Sequence, residues 1–231
     1  MSKRIAVSLF VLAFVASATL ATQPARAQTE HLQCRATGNA RAPELCVVGV
    51  PSASMNQVFQ YQRTPVWCWA ASMSMILAYY GRPVSQRDIV SAIFGAAIPT
   101  TLPAADVVPY LDHTYVDGAT GRSATTRAAV LYAARGGSSA NLQAIFDQLE
   151  QGRPLLIFTP RHAMVMTAMY YYADSSGNEL RIAGVIVRDP YPYAGGESAA
   201  PGVPVGQNPG ERLLSTSEYY SIQYVFMVSV A

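Results

Sequence analysis

After Lys3 the chain has no lysine in the rest of its 231 residues. That removes both a P-loop lysine for nucleoside triphosphates and a lysine for Schiff-base chemistry. The patterns G-x-S-x-G, H-E-x-x-H, C-x-x-C and G-x-G-x-x-G are also missing, so serine-hydrolase, zinc-peptidase, dithiol-redox and dinucleotide-binding readings lack their signatures. Charged residues make up only 13% and form no basic cluster, which argues against nucleic acid as a partner. Neither a cofactor nor a metal is called for. Beyond a single apolar run near the start, no segment is long and apolar enough to span a bilayer.

That run, from Ile5 to about Leu20, follows Lys3 and Arg4 and precedes the small-x-small site Ala25-Arg26-Ala27. The pattern predicts a signal peptide over residues 1–27, removed before Gln28. The alternative is a membrane anchor, but the run falls short of the roughly 20 residues needed to span, and Ser and Thr interrupt it. Cutting after Ala27 takes 27 residues from 231 and leaves 204; 16 basic residues less Lys3, Arg4 and Arg26 leaves 13 against 14 acidic, a formal charge of −1. A chain of this size can bury a full core, and one domain is expected. The expected compartment is periplasmic or extracellular, with no membrane attachment after signal removal.

Only three cysteines are present. Cys34 and Cys46 lie close together in a polar stretch, whereas Cys68 stands inside an apolar one. In an exported chain the first pair is expected to form a disulfide, leaving Cys68 as the odd, free thiol. The other possibility is that Cys68 bridges to one of them and is structural.

Residues 28–54 read as a polar, irregular segment interrupted by Val47-Val48-Gly49-Val50, either a pro-segment or a strap, and residues 55–231 as the main domain. A helix is expected from Cys68 to Tyr80, with Trp69, Met73, Ile76, Leu77 and Tyr80 on one face and Gly81 as its stop. A second spans Ser85 to Phe94, Ser85 and Asp88 serving as N-cap and N3 acid, and a third Ala140 to Gln151. Strands are expected at Leu155–Thr159, Ala163–Tyr172, Leu180–Val187 and Ile222–Val230, with a hairpin turn at Asp174 to Asn178. Helices first and an antiparallel sheet afterwards is α+β. The Pro- and Gly-rich stretch Tyr191–Gly210 is too long for a plain connection and reads as a lid or a disordered flap.

Cys68 opens the first helix, where backbone N–H dipoles favour the nucleophilic thiolate form. Six residues earlier, Gln62 is a candidate second donor to an oxyanion, beside the backbone N–H of Cys68. Downstream come His162 and Asp189. In an antiparallel hairpin, paired residue numbers add to a constant. If Ser175-Ser176 forms a two-residue loop that constant is 351, which sets His162 directly opposite Asp189. The roles follow: Cys68 attacks a carbonyl carbon, His162 takes and returns the proton, and Asp189 fixes the ring tautomer. Each residue also has a duller role. Cys68 could be packing, His162 a satisfied strand-end histidine, Asp189 a turn opener before Pro190, and Trp67 and Trp69 core, although Trp67 beside the thiol could line a substrate pocket.

The segment Gln62 to Ala71, Q-x5-C-W-A-A, resembles the catalytic helix entry of papain-superfamily cysteine peptidases. Its Trp-Cys-Trp-Ala-Ala form is similar to the small bacterial members, secreted effector proteases among them. The Gly152-Arg153-Pro154-Leu155 turn ahead of His162 and Asp189-Pro190-Tyr191 after the hairpin fit as well, and the resemblance covers roughly Met55 to Ala231. It implies a papain-like fold with an N-terminal helical lobe and a C-terminal antiparallel β lobe. It also implies a cleft between the lobes, a peptide or protein substrate, and Gln62, Cys68, His162 and Asp189 in the family's four roles. Two departures stand out: Asp189 replaces the asparagine of plant and lysosomal members, and Arg161 precedes the histidine where a small residue is usual. The same constellation also serves an acyltransferase or amidase, and a non-catalytic binding domain can retain the fold.

Overall fold

The computed structural model describes residues 31–102, 107–134, 142–174, 179–192 and 208–231. The expected signal peptide, the turn residues 175–178 and most of the Pro- and Gly-rich stretch lie outside them.

An antiparallel sheet forms the centre. Its strands are β1 (Leu32–Ala36), β2 (Glu44–Gly49), β3 (Thr114–Val116), β4 (Ser123–Ala133), β5 (Leu155–Phe158), β6 (Ala163–Ala173), β7 (Glu179–Arg188), β8 (Glu211–Leu213) and β9 (Tyr224–Val230). The helices are α1 (Ser52–Val58), α2 (Cys68–Tyr79), α3 (Gln86–Phe94), α4 (Val108–Leu111), α5 (Leu142–Glu150) and α6 (Thr216–Tyr220). Strand order runs β1-β2-β6-β5-β9-β4-β3, while β7 pairs with the other edge of β6 and carries β8. Strand β6 is the hub because its 11 residues accept β5 along one half of an edge and β2 along the other.

The middle of the sheet is buried on both faces, and side-chain alternation sorts its residues between two cores. Leu156, Phe158, Val165 and Phe226 face α2 and α3 with Trp69, Ile76 and Ile89. Leu155, Ile157, Met164 and Met166 face α5 through Ile145 and Leu149. This explains why β5 is apolar at every position, the mark of a strand covered on both sides.

The expected central helix is present, but its burial is not confined to one face: every residue from Trp69 to Leu77 is buried. Such a helix is packed all round, here by α1, α3 and β6. Gly81 at φ 74° ends it, with Arg82 N–H donating to Leu77 O at 2.9 Å. In α3 the Ser85 hydroxyl accepts from Asp88 N–H at 3.2 Å, and Gly95 closes the far end in the left-handed conformation.

Two expectations are corrected. The helices-then-sheet order fails because β1 to β4 precede Leu155 in sequence. The stretch read as irregular between Gln28 and Ala53 holds a hairpin, β1–β2, whose Cys34 and Cys46 face each other in register and are joined by a disulfide. Alternation in β1 is weak because it is an edge strand with mostly exposed positions, and pairing with β2, itself paired with β6, decides its conformation. Among the described residues, no helix is long and apolar enough to cross a membrane.

Candidate active site

Cys68 is the first residue of α2, so its backbone N–H belongs to the first turn, where no intrahelical acceptor exists. Trp67 precedes it with non-helical backbone and no side-chain cap. The thiol is half-buried and free, as expected from the Cys34–Cys46 bridge.

His162 ends the tight β5–β6 hairpin. Phe158 pairs with Ala163, and Thr159 N–H donates to His162 O at 2.9 Å across the turn that Pro160 and Arg161 make. Its ring Nε2 lies 2.6 Å from Asp189 Oδ1, and the ring interacts with the Cys68 side chain. Since Nε2 faces the carboxylate, Nδ1 is the nitrogen left for the thiol. Burial alone would depress the ring's affinity for a proton, but hydrogen bonds and charge from Asp189 and Cys68 outweigh it and raise the pKa from 6.5 to about 9.

Asp189 follows β7 directly and is 1% exposed. Burial pushes its carboxyl up, yet His162, the Tyr191 N–H and Arg212 together hold it below the ordinary value. The expected register is off by two. Pairing runs Val165↔Arg188 and Met166↔Val187, which by continuation sets Asp189 opposite Met164 rather than His162. The last pair before the turn is Ala173↔Glu179, leaving five residues between the strands instead of two, and three bulges interrupt the ladder. A shift of two preserves the face, so His162 and Asp189 are diagonal neighbours, still within reach of each other's side chains.

Gln62 lies on the segment leading into α2. Its backbone N–H donates to Pro190 O at 2.9 Å, which ties this segment to the residue after Asp189. The side-chain Nε2 donates to Thr64 O at 2.9 Å, using one of its two hydrogens, and Oε1 is buried without a partner among the described residues. The segment is braced by Gln86 of α3, 1% exposed. Gln86 accepts from Arg63 N–H at 2.9 Å and donates to Gln60 Oε1 and Tyr61 O, each at 2.8 Å. Sequence reasoning missed Gln86, because a glutamine in a capped helix reads as solvent-facing.

Trp67 does not have the free surface of a pocket wall: it is 6% exposed and its indole N–H donates to Ile98 O at 2.9 Å. Trp69 does the same to Thr100 O at 3.2 Å. The two indoles flanking the thiol therefore hold the segment after α3 against the start of α2.

Sequence reasoning also missed Arg212. Its Nε donates to Asp189 Oδ2 at 2.8 Å, its Nη1 and Nη2 grip Glu218 at 2.8 and 2.7 Å, and it is 8% exposed. The only trace in sequence was the capping-box spacing of Ser215 and Glu218.

A free thiol at a helix start, beside an imidazole that a buried carboxylate holds from behind, lies where helices pack on an antiparallel sheet, an arrangement compatible with a cysteine peptidase-type fold. Residues 54–201 match the model of the Peptidase_C39 like family, and the chain belongs to that family. No curated protein matches the chain.

Proposed function

We propose that the protein is an exported cysteine peptidase that hydrolyses peptide bonds with Cys68 as nucleophile and His162 as general base and acid. Asp189 orients the ring, and Gln62 with the Cys68 N–H receives the oxyanion. The observation that carries this reading is the His162 ring, which interacts with the Cys68 side chain and lies 2.6 Å from Asp189. An imidazole that stays protonated to about pH 9 keeps a proton ready for the leaving amine once a thioester forms. Water then attacks the thioester with the neutral ring as base, releasing the acid and restoring the thiol. Cys68 comes from a helix and the His162–Asp189 pair from the sheet, consistent with a papain-like cleft between a helical and a β lobe. The disulfide is consistent with an oxidising compartment.

Mass spectrometry of a protein substrate incubated with the chain under mild reductant tests the reading. New free peptide termini, abolished by Cys68→Ala and by His162→Ala, are expected. Amide or ester adducts would make it an acyltransferase, and wild-type chain with titratable Cys68 but no turnover on any peptide would leave a binding domain.

A further inference from the structure

Both oxygens of the buried Asp189 carboxylate are engaged. Oδ1 accepts from His162 Nε2 at 2.6 Å and from the Tyr191 N–H at 2.8 Å, and Oδ2 accepts from Arg212 Nε at 2.8 Å. Nη1 and Nη2 hold Glu218 in a two-point grip, while Nη2 also lies 2.8 Å from Asp189 Oδ2 and 3.1 Å from Met164 Sδ. Glu218 is held in its turn: its carboxylate accepts from Ser215 N–H at 3.0 Å, and its own N–H donates to Ser215 Oγ at 3.1 Å. With thiolate and imidazolium formed, charge alternates in sign from Cys68 through His162, Asp189 and Arg212 to Glu218.

We propose that Arg212, held by Glu218, is a positioning residue for His162. It occupies Oδ2 so that Oδ1 alone faces the ring, and it offsets the charge that distinguishes Asp189 from a neutral amide. The inference rests on reading His162 as the base. The physical need is specific. A carboxylate torsion is broad and two-fold, so a lone contact would not orient it, and a buried carboxylate without a cation tends to take up a proton and stop accepting from the ring. A planar guanidinium can serve Asp189 with one edge and Glu218 with another, which a lysine ammonium cannot. The charged or titratable groups around the ring are Cys68 from α2, Asp189 and Tyr191 beyond β7, Arg212 from β8 and Glu218 from α6. Arg161 precedes the ring in sequence and is exposed.

Two readouts on the full folded chain test this. The first is the NMR titration of the His162 ring, which needs no substrate, with the signal assigned by its loss in His162→Gln. Glu218→Gln keeps a hydrogen-bond acceptor for Arg212 but removes a negative charge. The field at the ring becomes more positive, and the titration is expected to move down by roughly half a unit. The second is kcat and KM per active site, counted with an irreversible thiol-directed inhibitor. Arg212→Met is expected to lower kcat about 100-fold and Arg212→Lys about tenfold, with KM unchanged, in the range usual for groups that orient a working side chain. If Arg212→Met fails to fold, Glu218→Gln and Arg212→Lys carry the test. An unshifted ring titration in Glu218→Gln together with a wild-type kcat per active site in Arg212→Lys, whatever the loss in Tm, would reduce Arg212 to a structural ion pair. A shifted titration in a chain that turns over no peptide would overturn the peptidase reading and leave the positioning role standing.

Discussion

At the scale of single residues, the protein's pH behaviour centres on His162. Its pKa in the folded chain is about 9, above the ordinary 6.5. A group raised on folding contributes stability that is fully present below its unfolded pKa and is lost as pH rises through the folded one. Urea midpoints should therefore fall between about pH 6.5 and 9, and His162→Gln should flatten that slope. The basic limb of kcat/KM should fall near pH 9 for the same reason, and a limb near 6.5 would mean that Asp189 does not support the ring in solution. Asp189→Ala should keep the fold and lower kcat through loss of tautomer control. Asp189→Asn should be milder than in a serine protease, because the thiolate–imidazolium pair precedes attack. The missing carboxylate charge matters in that variant too, since an amide beside Arg212 leaves its charge balanced only by Glu218. Gln62→Ala should lower kcat with KM little changed, and loss of one oxyanion donor typically costs about 100- to 1000-fold.

At the scale of elements, the β1–β2 hairpin and the β7–β8 pair flank β6 on opposite edges. Gly49 ends β2 with φ 152°, and a Cβ there would meet Thr167 O at 2.2 Å and Ala168 Cα at 2.6 Å on β6. Gly49→Ala is expected to cost about 1–3 kcal/mol in denaturant unfolding, since backbone rather than a flexible side chain must yield. Gly210 has φ 65°, and its carbonyl accepts the Asp189 N–H at 2.8 Å. A Cβ there would lie 2.0 Å from the Phe59 ring and 2.7 Å from Asp189 O. Gly210→Ala should therefore reduce kcat as well as stability, which Gly49→Ala need not do per folded molecule. The hairpin also buries Leu45, Cys46 and Val48 against strand β6. The active chain is expected to retain residues 31–54, and intact-mass measurement showing an active form lacking them would mark the segment as removable.

At the scale of the whole molecule, the disulfide and the free thiol have to coexist. Non-reducing peptide mapping should recover Cys34 linked to Cys46 with Cys68 alkylatable, and under the proposed export intact-mass measurement of the mature chain is expected to place its first residue at Gln28. Opening the bridge releases a short loop, worth on the order of 3 kcal/mol. The activity assay therefore needs a reductant strong enough to keep Cys68 reduced and mild enough to spare the bridge. A dominant disulfide through Cys68 would remove the nucleophile from the proposal.

Local signals in the sequence were enough for α2, α3 and β5 to β7, because caps, a glycine stop and runs of β-branched residues act within a few positions. They also sufficed to single out Cys68, His162 and Asp189, whose chemistry is scarce in a chain with three cysteines and three histidines. What stayed hidden depends on partners distant in sequence. Strand β1 exists because β2 and β6 pair beside it, β4 because β9 lies alongside, and Gln86 is buried because the segment before Cys68 needs its hydrogen bonds. The two-residue shift between β6 and β7 came half from a longer connection and half from bulges that no alternation pattern records. Arg212 meets Asp189 only across β7 and β8, so residue type and spacing picked out the groups proposed to react, and the sheet decided which cation stands behind them.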